Sequence, residues 1–151
     1  MTVTPEQLGR LVPRGGWPEW VFTTPYRASA HPQATPVTHI AEGANCQRFA
    51  YEVLALFGAA VPPHRSSELW GDEQLDHVAL SDVQDLDLVL FNRTDEARGA
   101  HVAVALADGF LHLSAEVAKP TVWQLSDFAA RERYAVTIGA VRITRLSSSC
   151  R

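Results

Sequence analysis

The cysteine at position 46 opens the stretch "NCQRFAYEVLALFG" (45–58) and is one of only two in 151 residues. Apolar residues recur at Cys46, Phe49, Ala50, Val53, Leu54 and Phe57, one face of an α-helix. Asn45 is a suitable N-cap and Gly58 a suitable C′ residue, so a helix is predicted over 45–57 with the thiol in its first turn. The unpaired N–H groups there favour thiolate over thiol, a recurring way to make a nucleophile at neutral pH. A free cysteine on an apolar helix face is equally an ordinary small core residue. The stretch by itself leaves both roles open.

A nucleophilic cysteine needs a base within reach. Of the six histidines, His31, His39, His64 and His77 fall in loop-like or Pro-rich stretches, whereas His101 and His112 fall inside predicted strands. In "AHVAVAL" (100–106), alternation puts His101, Ala103 and Ala105 on one face and Val102, Val104 and Leu106 on the other, the core face. The small residues beside His101 leave room for another element to approach. Whether His112 meets His101 depends on the turn between them. A two-residue turn at Asp108-Gly109 sets His112 opposite Ala105, roughly 13 Å along the strand from His101. A four-residue loop over 106–109 sets it opposite Ala103, about 7 Å away, where imidazoles nearly meet. The sequence does not choose between them.

The elements that must position these residues change character along the chain. Residues 1–44 are irregular and hold six of the nine prolines, with one short helix over 5–12 capped by Thr4. After the Cys46 helix, "AAVPPH" stops the segment, and "RSSELW" (65–70) starts a second helix with Ser66 or Ser67 as cap. Then the period becomes two. Strands are predicted over 86–91, 100–106, 109–114, 121–125 and 134–144, with a helical turn over 126–133. Asp87 reads as a solvent-side strand or turn residue. The order predicts one α+β domain over 1–151, with the Cys46 helix packed on a mainly antiparallel sheet of five or six strands, a core over 45–144 and a flexible tail over 145–151.

Composition sets the outer limits. An apolar share of 46% and a charged share of 20% describe a globular chain that needs no disulfide to fold. Net charge is -4 and no basic stripe runs along the sequence, so neither nucleic acid nor an anionic membrane is expected as partner. The start "MTVTPEQLGRL" has no basic region followed by an apolar one, so a cytoplasmic address is expected, a non-classical delivery route aside. Cys150 lies in the polar run "RLSSSCR" and supplies neither a disulfide framework nor a CxxC motif. No cofactor or metal is expected, because a thiolate–imidazole pair needs none.

In order and spacing, "NCQRFAYEVLALFG", "VPPHRSSELW", "LDLVLF" and "HVAVALADGFLHLS" resemble the NlpC/P60 cysteine peptidases over residues 44–144. That family shows a DCSG-like helix start, a proline followed by Arg and Ser, GDLVLF, HVGIY, and a strand ending in His. The resemblance implies a papain-like α+β fold and hydrolysis of amide bonds in bacterial cell-wall peptides. It implies Cys46 as nucleophile, His101 as base and His112 as the residue that orients the base, acting on a small peptide or peptidoglycan fragment. Candidates for substrate or oxyanion contact are His39, Asn45, Gln47, Arg65 and Ser66.

The departures fall around the nucleophile. Asn45 replaces Asp, Gln47-Arg48 replaces Ser-Gly, and Leu86 replaces the Gly of GDLV. The family's tyrosine about a dozen residues before the cysteine has no match, since position 34 is Ala; His39 is the nearer substitute and Tyr26 a more distant one. These changes keep two other readings open: an inactive binding or inhibitory domain, and an acyltransferase using the same Cys–His pair.

Overall fold

The capping signals at Asn45 and Gly58 act as read. In the computed structural model, which describes residues 3–143, the Asn45 side chain accepts the Arg48 N–H at 2.9 Å, and Gly58 takes a positive φ of 83°. Cys150 and the tail over 145–151 lie outside the described residues, as does Thr144. The helices are α1 (Trp20–Thr23), α2 (Cys46–Ala55), α3 (Ser66–Gly71) and α4 (Leu125–Ala129). The strands are β1 (Asp76–Val78), β2 (Leu88–Asn92), β3 (His101–Leu106), β4 (Gly109–His112), β5 (Thr121–Trp123) and β6 (Val136–Arg142). They form one antiparallel sheet in the order β1-β6-β2-β3-β4-β5. The α+β architecture is the expected one, with six strands. Strand β1 and helix α1 were not anticipated: three- and four-residue segments are too short for a period to register. Residues 5–12 hold only a 3-10 turn over Pro5–Leu8. Helix α3 starts as expected, but its N-cap is Arg65, whose N–H is taken by Glu68 at 2.9 Å.

Both faces of the sheet are covered. On one face α2 lays Phe49, Val53 and Leu54 against Val102, Val104, Leu106 and Leu111. Each such side chain contributes about 1.5–3 kcal/mol on burial. The irregular N-terminal stretch joins this core through Leu8, Val21, Ile40 and Ala44. On the other face Phe91, Ala103, Trp123, Phe128 and Tyr134 form an aromatic cluster. Phe91 and Phe128 stack there at 3.9 Å. All six residues of β3 are consequently buried.

Two local features hold the middle of the sheet. Asp87 is not solvent-side; it is 2% exposed and accepts two hydrogen bonds from Arg142, both at 2.9 Å, and a third from the Gln84 N–H at 2.8 Å. It thus ties the loop before β2 to the end of β6. Leu86 carries the positive φ (75°) that explains why a glycine suits this position. The strain of a leucine there, about 1–3 kcal/mol, is offset by its packing on the main core.

Removing Arg142 would leave Asp87 charged, buried and short of two partners. Arg142→Ala is expected to lower stability, read as a drop in the urea midpoint at an unchanged slope.

Candidate active site

The β3–β4 turn decides how the histidines meet. Leu106 pairs with Gly109 and Val104 with Leu111, so the turn is the two residues Ala107-Asp108. This is one step away from an Asp108-Gly109 turn, and it gives the register of the longer loop, with His112 opposite Ala103. Ala107 supplies the positive φ (54°) of the turn. Gly109 is needed in β4 for a different reason: a Cβ there would lie 2.6 Å from Val122 Cγ1 on β5.

In this register His101 Nε2 lies 2.9 Å from His112 Nδ1, with the rings nearly perpendicular at 86°. Both imidazoles are buried, His112 to 1% exposure. Trp123 and Phe128 pack on His112 at 4.4 and 4.9 Å between ring centres, and Tyr134 packs on His101 at 4.8 Å. The second His112 nitrogen, Nε2, has no hydrogen-bond partner within this cage. With its Nε2 bonded to His112, His101 keeps Nδ1 for chemistry. Burial draws His101 down to about 3 and His112 well below the usual imidazole range, so both rings are neutral at physiological pH.

Cys46 is partly exposed and shares a cleft of about 210 Å³ with His101, Tyr26, Asn92, Ser114 and Tyr134. The sequence led to the expectation of a thiolate at the helix start. The structure reverses the sign: burial raises the thiol, and this outweighs the N–H groups of Val102, Gln47 and Cys46 and the Arg65 guanidinium, which pull downward. The free protein therefore holds a neutral thiol beside a neutral imidazole.

The other predicted residues separate into distinct places. Asn45 is 5% exposed and committed to the helix: its Oδ1 takes the Arg48 N–H and its Nδ2 donates to Gln47 Oε1 at 3.1 Å. Gln47 Oε1 also accepts from Arg65 Nε at 3.1 Å, and both residues line a second, polar cavity of about 530 Å³. Ser66 is buried, and its Oγ accepts the Ala100 N–H at 3.1 Å, fixing the residue that precedes His101. His39 does not reach the cleft. It is exposed, and its Nδ1 accepts the Ala41 N–H at 3.0 Å to cap the turn over Ile40–Glu42.

Tyr26 stands in the cleft instead. It is bridged in parallel to Ala44, two residues before Cys46, and donates its N–H to Ala118 at 2.8 Å. Its phenol is raised by burial, then by Cys46, and so remains a donor. Counting residues back from Cys46 ranked it below His39 because the loop over 27–43 lies between the bridged positions. Tyr134 was taken for the start of a strand; it closes a 3-10 turn that aims its ring at His101. Only its aromatic character was visible in the sequence.

No protein-family model and no curated protein matches the sequence. Solved structures do match. An NlpC/P60 family protein from Bacillus cereus ATCC 10987 superposes with a TM-score of 0.54 at 19% identity, over 70% of this chain and 33% of that one. The peptidoglycan hydrolase RipB from Mycobacterium tuberculosis does so with a TM-score of 0.56 at 22% identity, over 81% of this chain and 58% of its own. The chain has the papain-like fold of these NlpC/P60 structures and spans between a third and three-fifths of their length.

Two measurements follow from the neutral pair. Iodoacetamide alkylation of Cys46 in a Cys150→Ser background should accelerate only near or above the free-thiol value of ~8.5, with no reactive plateau at low pH. Stability should be fully present above about pH 6.5, the unfolded imidazole value, and fall as pH drops toward 3. There the unfolded chain binds protons that the native imidazoles refuse. Each buried histidine contributes a slope of about 1.4 kcal/mol per pH unit, readable by denaturant unfolding between pH 7.5 and 4.5.

Proposed function

We propose that the protein is a cysteine hydrolase that cleaves amide bonds in small peptides of the cell-wall type. The observation that carries this reading is the buried His101–His112 hydrogen bond at 2.9 Å, which leaves His101 Nδ1 for the cleft that Cys46 shares. The NlpC/P60 fold and the name of RipB as a peptidoglycan hydrolase support the choice of substrate class.

Because thiol and imidazole are both neutral at rest, proton transfer accompanies attack. As the Cys46 sulfur bonds to the amide carbon, His101 Nδ1 takes the thiol proton. The carbonyl oxygen becomes an oxyanion facing the Cys46 N–H at the start of α2, with the Tyr26 hydroxyl as a second donor from the cleft. The imidazolium then gives its proton to the amine as the C–N bond breaks, leaving a thioester. Water attacks the thioester, His101 accepts its proton, and the thiol reforms with release of the acid. His112 acts through His101: its Nδ1 holds the ring orientation and bears part of the imidazolium charge.

Mass spectrometry of soluble peptidoglycan stem peptides incubated with enzyme tests this. Cys46→Ala and His101→Ala should each lower turnover by about 10³-fold or more, and His112→Ala by about 10²–10⁴-fold. Turnover by the wild type that survives Cys46→Ala would end the proposal. A covalent thioester resolved faster by added amine than by water would move the assignment to acyl transfer.

A further inference from the structure

One proton of the histidine pair decides which nitrogen is free for chemistry. Each neutral imidazole carries a single N–H, and one of these protons lies in the 2.9 Å contact between His101 Nε2 and His112 Nδ1. If His101 donates there, His112 carries its own proton on Nε2 and His101 Nδ1 is bare. If His112 donates, its Nε2 is bare and His101 Nδ1 already holds a proton. The first arrangement can accept the Cys46 thiol proton; the second cannot.

The outer ends of the pair have unlike surroundings. His101 opens on the polar cleft of Cys46, Tyr26 and Ser114, where hydroxyls, thiol and solvent serve a donor or an acceptor alike. His112 is sealed: its ring is 1% exposed, and no described residue offers Nε2 a hydrogen bond. What packs on this ring is aromatic. Trp123 lies 4.4 Å away between ring centres and Phe128 4.9 Å, tilted by 55° and 53°. The π-face of such a ring is negative, so it attracts an N–H and repels a bare nitrogen lone pair. The dry end of the pair therefore discriminates between the two arrangements, and the wet end does not.

Trp123 is the firmly braced member of this cage. The Arg131 guanidinium lies 4.0 Å from the indole centre, and is itself held by Glu116 Oε1 at 2.9 Å and by the Asp127 carbonyl at 2.7 Å. The indole also lines a separate cavity of about 360 Å³ with Val3, Gln7 and Val122. Losing it would bring solvent from that cavity to His112, and water both donates and accepts, which erases the preference. Trp123 lies outside the Cys46 cleft, so its influence on the site passes through His112.

We propose that Trp123 is a positioning residue that holds His112 in its Nε2–H form, so that His112 Nδ1 accepts from His101 and His101 Nδ1 stays bare. The assignment concerns the resting protein; only its use in turnover rests on the hydrolase reading.

Nitrogen-15 NMR of the imidazole rings separates protonated from bare nitrogens and reads this directly at about pH 7.5, above the free imidazole value. His101→Gln and His112→Gln identify the two rings by the signals they remove. The wild type should show at least about a tenfold excess of the His112 Nε2–H form. Trp123→Phe, which keeps an aromatic face, should retain the excess, and Trp123→Leu should bring it toward parity, with a melting curve to verify folding. Biosynthetic 5-fluorotryptophan keeps the indole shape and weakens its negative face, and should lower the excess in an otherwise unaltered chain. A wild-type His112 protonated on Nδ1, equal populations of the two forms, or an excess unmoved by both Trp123→Leu and fluorotryptophan would each overturn the proposal. The Nε2–H form without wild-type turnover of stem peptides would keep the proposal and end the hydrolase reading. Turnover by a resting protein with His101 Nδ1 protonated would do the reverse.

Discussion

The candidate site depends on one hydrogen bond, and that bond depends on the register of one hairpin. His101 and His112 are eleven residues apart on adjacent antiparallel strands. They touch only because the turn is Ala107-Asp108. A shift of one residue would turn His112 to the opposite face of the sheet, and a shift of two would carry it about 7 Å along the strand. The register is held at both ends. Ala107 pays the conformational strain of the turn, and Gly109 allows β5 to pack against β4 where a side chain would collide with Val122. Ser66 then fixes the backbone just before His101 from a separate helix. The imidazole pair is therefore positioned by backbone geometry from three elements rather than by its own short contact.

Burial gives the pair its rigidity and its protonation state together. The aromatic cage of Trp123, Phe128 and Tyr134 excludes water from the rings, so neither is stable as a cation. The same desolvation acts on Cys46 and defeats the helix-start donors that favour a thiolate. Two local rules thus oppose each other at one residue, and the nonlocal one wins. On the hydrolase reading, the N–H groups at the start of α2 would serve the negative charge that appears during attack. An unsolvated donor array of this kind is worth more to a transient oxyanion than to a resting thiolate, since it needs no reorganisation when the charge forms.

What the sequence disclosed was what period and caps encode. The Cys46 helix, the run of strands and the alternation at His101 were legible because each repeats over several residues. Single residues with a spatial cause were not. Gly109 read as a turn residue, although its reason is the approach of Val122. Asp87 read as solvent-side, because its partner Arg142 lies 55 positions away in sequence. Tyr26 was discounted by its distance along the chain, yet the bridge to Ala44 closes the 27–43 loop and brings it to the cleft. The thiolate expectation rested on helix position, which is local, whereas the burial that raises the thiol comes from packing of α2 against β3.

The arginines show how a chain with no basic stripe can still present a basic cleft. Arg65, Arg98 and Arg133 are more than thirty positions apart, so no window of sequence collects their charge. The fold brings Arg65, at the start of α3, and Arg98, just before β3, to one cavity, and Arg133 to the adjoining cleft. Apolar side chains close both faces of the sheet, and the rim is where backbone ends, loops and polar side chains accumulate. Charge at such a rim acts across low-dielectric walls, and so more strongly than on an open surface. The acidic remainder of the molecule sharpens that contrast. A negatively charged group entering here would meet Arg65 and Arg98 in one cavity and Arg133 in the adjoining cleft, close to the thiol and the imidazole.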